Sequence, residues 1–487
     1  MVLNVKDQNT MKKITAALTI LIFLYSCKSD DLALPDRDIS CSETFDHLTQ
    51  KVSENYIALK EMEEAGNSSD YEVHLEKYSD IVKGKEGSEC TKSLTDFINW
   101  FNDGHLFVLE RPEYTEAEKA MIRERSLSLV KEVSEIEELL SDQDDDALVG
   151  KWTDGEYLFG IVQDGKDYTA YPLTSSDSLQ SGYPVLSLKM TNDGYEGFYH
   201  GYTDTPRYVT AHVYKNDTYL SIFGGIKWGK ILPGSEEEQA IENGDKVDPK
   251  LGYIEEVQEG VVVFEIPSFS VDFMLFRDLI LENEQLLRGA EYLIIDARGN
   301  TGGNAVYGMF TPLYADRGRE ESQGKVLASQ DNKEYYEWLA SRNPDVYQPV
   351  VDRINENMGE IVAGPVFPRR PYQKEENNLK EVAILTDEAC ASACESFLLN
   401  SKEISDRVMH YAKTNTYGMI DYTSVNMVPL ESGNQNIFFG YPTGKLSESY
   451  FTGEYANGFN ENGIRPDVLI PDSVKDEIDY VLGMTVN

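Results

Sequence analysis

The sequence predicts an α+β multidomain protein with a helical N-terminal domain, a small antiparallel β barrel or sandwich, and a C-terminal α/β core. Three observations carry that reading. Before about residue 130, apolar residues recur at three- and four-residue intervals, as in Phe45, Leu48, Val52, Tyr56 and Leu59. From Val149 to about Leu232, short aromatic and β-branched runs alternate with Asp-Gly and Asn-Asp turns. From Leu251 onward, apolar runs of strand length alternate with helical patterns, as a largely parallel sheet requires. At 487 residues the chain exceeds one ordinary core, and 41% hydrophobic residues excludes wholesale disorder. A formal net charge of −41 argues against binding nucleic acid or an anionic membrane through a basic face.

The N-terminus reads as an address. Met11-Lys-Lys13 is a basic n-region, and Ile14 to Tyr25 is an apolar run too short to span a bilayer stably. Leu24-Tyr-Ser-Cys27 fits a lipobox, in which Cys27 is lipidated and becomes the mature N-terminus. An ordinary cleaved signal peptide is the alternative. Residues 1–27 are therefore expected to be a lipoprotein signal peptide that starts at Met11, and residues 28–40 a polar tether. The acidic Lys28-Ser-Asp-Asp31 resembles a surface-export signal of lipoproteins in some Gram-negative bacteria. The protein is expected outside the cytoplasm, lipid-anchored to the outer membrane on its periplasmic face or at the cell surface.

Residues 41–147 read as helices, with a second apolar segment at Ser93–Phe101 and one long charged helix from Ala117 to Leu140. Cys41 and Cys90 flank the first helices and could pair in an oxidising compartment. Residues 148–235 hold the β domain, with strands expected at Tyr157–Val162, Tyr168–Tyr171, Val185–Leu188, Tyr208–Tyr214 and Thr218–Phe223. Gly234 to Pro249 is an acidic connector. The core, residues 250–487, begins with a strand at Val261–Ile266 and a helix at Phe273–Leu287. A strand at Tyr292–Ile295 and a helix at Ala305–Tyr314 follow.

One segment of that core carries the most information. Val382 to Leu385 is a short buried strand; Thr386 and Asp387 break it; Ala391-Ser392-Ala393 then opens a helical pattern. Small neighbours let a carbonyl group approach the Ser392 hydroxyl. The first helical N–H groups have no intrahelical partner and carry the positive end of the dipole. Taken alone, this segment favours reading Ser392 as an N-cap on a buried helix over a nucleophile. Cys390 and Cys394 bracket it; a bridge is feasible at this spacing, but small buried residues are the reading preferred here.

Three further segments change the reading of Ser392. They are Asp296-Ala-Arg-Gly-Asn-Thr-Gly-Gly303, Gly463-Ile-Arg-Pro-Asp467 and Asp103-Gly-His105. Together with Ser392-Ala-Cys-Glu395 they resemble the serine peptidase family of tail-specific (C-terminal processing) proteases and the tricorn core. That family carries D-x-R-x-N-x-G-G, S-A-x-E and a late G-[IV]-x-P-D in this order. The resemblance covers roughly Leu251 to the end plus the segment around His105. It implies a crotonase-like core and an enzyme that hydrolyses peptide or protein substrates without metal or cofactor.

The resemblance also assigns roles. Ser392 is the expected nucleophile. Tail-specific members use a lysine as base, in a turn that corresponds to Asn415–Ile420. Met419 stands at that lysine's place and cannot accept a proton, whereas Lys413 lies before the turn. The tricorn-like branch uses a histidine after the helical domain, and His105 fits. Its unperturbed pKa near ~6.5 predicts activity falling below about pH 6. Glu461 is the expected orienting carboxylate, with Glu448 and Glu454 as competitors. The branch's serine before the histidine is Gly104 here. Oxyanion donors are expected from Ala393 and from Gly302 or Gly303. Asp296 and Arg298 would buttress the loop as a charge-assisted pair, and Glu395 would be structural. No glycine-leucine-glycine loop of a PDZ module is evident. Two other readings stay open: a catalytically inactive homologue that binds peptides, and a glycan-binding surface lipoprotein that uses the tyrosine-rich barrel.

Overall fold

The computed structural model describes residues 40–485 except 143–145, 177–178, 193, 202–204, 216, 223–225, 244–245, 368–377 and 433–435. Cys27 and the lipobox lie outside the described residues. Among the described residues no helix is long and apolar enough to cross a membrane.

Helices α1 (Cys41–Asn55), α2 (Ile57–Glu64), α3 (Ser69–Ile81) and α4 (Gly87–Ile98) open the chain. The Ser40 hydroxyl caps α1 by accepting from the Glu43 N–H, and a Cys41–Cys90 disulfide staples α1 to α4. Strand β1 (Phe107–Glu110) follows directly after His105. The expected long helix is two, α5 (Glu116–Leu127) and α6 (Val133–Asp142). Between them the Lys131 N–H bonds the Gly182 carbonyl of a barrel loop, a tertiary contact that takes a donor from any continuous helix.

The β region is a closed eight-stranded barrel: β2 (Gly150–Thr153), β3 (Leu158–Asp164), β4 (Asp167–Pro172), β5 (Leu186–Thr191), β6 (Gly194–Tyr199), β7 (Arg207–Tyr214), β8 (Tyr219–Ile222) and β9 (Ile226–Ile231). Pairing of β2 with β9 closes it and leaves no open edge. Its interior is filled: the Phe159 and Trp228 rings stack 4.3 Å apart, and Trp152 and Trp228 are fully buried. Those tryptophans therefore offer no sugar-stacking surface.

After α7 (Glu236–Glu242) come β10 (Ile254–Gln258), β11 (Val261–Glu265), α8 (Phe273–Glu282), α9 (Glu284–Gly289) and β12 (Tyr292–Asp296). The helix expected at Ala305–Tyr314 is instead two 3₁₀ turns, Val306–Met309 and Thr311–Leu313, the second with Pro312 in its first turn. The chain continues through β13 (Ser322–Leu327), α10 (Gln330–Ala340), α11 (Pro344–Glu356), β14 (Ile361–Phe367), β15 (Glu381–Leu385), α12 (Ala393–Ile404), β16 (Val408–Ala412), β17 (Tyr422–Pro429), β18 (Ile437–Lys445), β19 (Val468–Leu469) and α13 (Glu477–Thr485).

Two sheets organise this part. One has the order β10-β11-β12-β15-β16-β19 and is parallel except at β10. Its central strands β11, β12 and β15 are near-continuous apolar runs because both faces are covered. The other sheet is antiparallel, with the order β1-β18-β13-β14 and β17 on β18. It unites the two ends of the chain, since Phe107 of β1 pairs with Gly440 of β18. The first helices close no core of their own: Phe45, Leu48, Leu94 and Phe97 share one with Ile437, Phe439 and Tyr441. The whole is a mixed α/β multidomain fold.

Candidate active site

Strands β12 and β15 are parallel neighbours, with Asp296 opposite Leu385. Their carboxyl ends therefore release two loops side by side at one edge of the sheet, where ligands bind in open α/β folds. The β12 loop is the glycine segment 297–303. The β15 loop leads to Ser392.

Ser392 has φ 55° and ψ −114°, a conformation that L-residues rarely adopt. This sharp strand-to-helix turn lifts the hydroxyl out of the chain path, as a nucleophile elbow does, here with alanines in place of the usual glycines. Three devices hold the turn. Cys390 and Cys394 are joined by a disulfide across it, which corrects the expectation of two separate buried thiols. The Glu395 carboxylate accepts the Ser392 N–H at 3.1 Å. That carboxylate also accepts from the Thr416 hydroxyl at 2.6 Å and from the Gly418 and Met419 N–H groups at 2.9 and 2.8 Å. Burial holds the Glu395 pKa above the ordinary carboxylate value, although these four donors each pull it down.

His105 arrives from the other sheet. It is buried, and its Nε2 lies 3.0 Å from Ser392 Oγ across 287 residues of sequence. Burial lowers its pKa to about 4, against a small upward pull from the Tyr422 backbone. The imidazole is therefore neutral and able to accept a proton well below the pH that free histidine requires. Its Nδ1 makes no full hydrogen bond; the nearest anionic group is Asp103 Oδ1 at 3.7 Å. Asp103 is itself held by the His105 N–H and the Tyr56 hydroxyl, each at 2.9 Å. Burial raises its pKa to about 6, helped by the nearby Asp421 charge.

Glu461 does not join this group. It is exposed and makes no hydrogen bond or ion pair with His105. Its neighbour Asn460 faces inward instead: the Asn460 carbonyl accepts from the Asn102 amide, and its side-chain oxygen accepts the Ile420 and Asp421 N–H groups. The turn thus spends Asn460 on the site and turns Glu461 to solvent. Asp103 was visible in the sequence, two residues before the histidine, but the resemblance drew attention to the later carboxylate. Lys413 pairs with Glu477 at 2.8 Å and is not bonded to Ser392.

Two departures from the family pattern prove to be one packing event. A Cβ on Gly104 would lie 2.7 Å from Met419 Sδ. Met419 fills the space that a side chain at position 104 would take, so a larger residue there would require the methionine to shift.

Of the expected oxyanion donors, the Gly302 N–H is already committed to Asn300 Oδ1 at 2.9 Å. The close approach is what Gly302 supplies: any Cβ there would meet the Ala391 carbonyl at 2.6 Å. Among the described hydrogen bonds, the N–H groups of Ala393 and Gly303 have no protein acceptor. Behind the loop, Arg298 grips Asp296 through two hydrogen bonds of 2.9 and 2.8 Å and also reaches Glu477. Burial works to raise the Asp296 pKa, but Arg298 and Lys215 outweigh it and hold the carboxyl low.

Residues 260–470 match the family model of Peptidase family S41. Over that segment the chain is an S41 peptidase domain. As such it is a serine-type peptidase, an enzyme class that acts on peptides or proteins. Several solved structures resemble the S41 peptidase at low identity. Mature CPAF complexed with lactacystin is 15% identical over 88% of this chain and 94% of that chain, with a TM-score of 0.43. A putative peptidase from Parabacteroides merdae is 12% identical over 91% and 96%, with a TM-score of 0.41. The tricorn protease is 14% identical over 91% of this chain and 36% of its own, with a TM-score of 0.41. No curated protein matches the chain.

Proposed function

We propose that this S41 peptidase is extracytoplasmic and lipid-anchored, and cleaves peptide bonds through an acyl-enzyme on Ser392 with His105 as base. One observation carries the catalytic part: the 3.0 Å contact between His105 Nε2 and the hydroxyl on the strained turn. As Ser392 Oγ bonds to the scissile carbonyl carbon, its proton passes to Nε2. The carbonyl oxygen becomes an oxyanion, and the unspent N–H groups of Ala393 and Gly303 are its donors. Asp103 stabilises the imidazolium that forms. His105 then returns the proton to the amine nitrogen as the C–N bond breaks. Water, deprotonated by the same Nε2, attacks the ester carbon; as the bond to Ser392 Oγ breaks, Nε2 returns that proton to Oγ and the acid is released. The parallel sheet with its two adjacent loops fits the crotonase-like core that the motifs imply.

Ser392→Ala is expected to abolish turnover and labelling by an active-site fluorophosphonate while the melting curve is retained. Undiminished labelling of that variant would remove Ser392 from the mechanism. For the anchor, the support is the lipobox at Cys27. Cys27→Ser is expected to move the protein from the membrane to the soluble fraction; equal membrane retention would refute lipidation there.

A further inference from the structure

The barrel meets the catalytic sheet through Lys215, Tyr219 and Lys227, which come from the β7–β9 segment. Lys215 Nζ lies 2.8 Å from Glu265 and 3.4 Å from Asp296. The Tyr219 hydroxyl donates to Glu265 at 2.7 Å. Lys227 is buried, and its Nζ donates to the carbonyls of Pro267 and Gly299, both at 2.5 Å. The same ammonium sits 4.6 Å from the centre of the Tyr219 ring. No carboxylate makes an ion pair with it among the described residues. Burial depresses its pKa to about 7, so this contact is held against a desolvation cost.

Gly299 is where the contact lands. A Cβ there would lie 3.2 Å from the Tyr219 ring, so the barrel sits directly on the loop backbone. The Gly299 N–H is gripped from the opposite side by both Asp387 oxygens at 2.9 Å. One peptide group on each side of Gly299 is therefore fixed, one by the barrel and one by the β15 loop. Three and four residues later come Gly302, packed on the Ser392 turn, and Gly303, whose N–H is unspent.

We propose that Lys227 is a positioning residue of the hydrolytic site, and that the barrel is a clamp which sets the backbone from Gly299 to Gly303 for oxyanion binding. The catalytic half rests on the acyl-enzyme reading above. The ammonium reaches no substrate; it acts by holding the Gly299 carbonyl, and through it the register of the donors that follow.

The test compares the full chain with Lys227→Met, which keeps the side chain's bulk and removes its donors. Two quantities are read: the rate constant for fluorophosphonate labelling of Ser392, and amide hydrogen exchange across residues 296–304. Labelling is expected to slow about 10²-fold, the scale of a displaced catalytic group, in the maximal rate rather than in the half-saturating concentration. Exchange is expected to quicken in 296–304 while the barrel strands keep their protection. Labelling within about twofold of the parent, or slowed labelling with unchanged loop exchange, would overturn the proposal. Should Lys227→Met fail to fold, Lys215→Met loosens the same interface at Glu265 and Asp296, and the same two readings apply. A parent chain that takes no label would count against the acyl-enzyme reading instead. Loop exchange needs no reaction and still decides whether Lys227 sets that backbone.

Discussion

His105 and Asp103 stand two residues apart and are pushed by burial in opposite directions, to about 4 and about 6. The consequence corrects a simple histidine titration. Below about pH 4 the imidazole is protonated and cannot act as base. Between about 4 and about 6 it is free, but Asp103 is protonated and cannot offset the imidazolium. Above about 6 both are in the working form. The labelling rate should therefore rise in two steps, the upper one near pH 6. Asp103→Asn should lose that upper step and about 10²-fold in rate, within the range for general acid–base assistance. One acid limb near the free-histidine value, unchanged in the variant, would leave Asp103 without a part in the reaction. That Ser392 and His105 meet was legible because short motifs preserve the order of loops, whereas the Gly302 N–H expected as a donor is spent on Asn300. Glu461 fails as the orienting carboxylate because adjacency in a turn does not say which side chain faces in: Asn460 faces in, and Asp103 is the carboxylate beside His105.

At the level of elements, the parallel strands were the most readable part. Val261–Glu265, Tyr292–Asp296 and Glu381–Leu385 are apolar runs bounded by breakers, and each forms a strand within a residue or two of its expected ends. Helices were less readable wherever a tertiary contact competed with periodicity. The segment 117–140 has a helical pattern throughout, yet the Lys131–Gly182 bond splits it. Strands β6 and β9 went unpredicted because Gly194, Gly197 and Gly229 interrupt their alternation, while barrel pairing forms them regardless. Glu395 shows why a residue read as structural still matters to the site. It is one carboxylate with four donors, and it joins the nucleophile's turn to the loop carrying Met419. No local pattern announces such a node, since three of its four donors lie 21 to 24 residues away.

Over the whole molecule, the antiparallel sheet that brings His105 to Ser392 was not legible, because β1 and β18 pair across more than 300 positions and neither strand names its partner. The same scale decides how solution conditions act on stability. Asp103 and Asp387 are each raised to about 6 by burial, so the folded state holds their protons more tightly than the unfolded chain does. Their contribution to stability declines as pH rises from about 4 to about 6. His105 and His410 are lowered to about 4 and about 3, so the unfolded chain binds those protons more tightly. Their contribution increases with pH over nearly the same window, up to about 6.5. Two opposing pairs of similar shift largely cancel, which leaves the −41 net charge as the main electrostatic load on the fold. Salt should therefore move the first thermal transition more than pH does between 5 and 7. Raising NaCl from ~0.01 M to ~0.15 M shortens the Debye length from about 30 Å to about 8 Å and should raise Tm by several degrees. Over the same salt range, a Tm that stays flat, together with one that climbs steeply from pH 5 to pH 7, would mean that the buried histidines outweigh both the carboxylates and the surface charge.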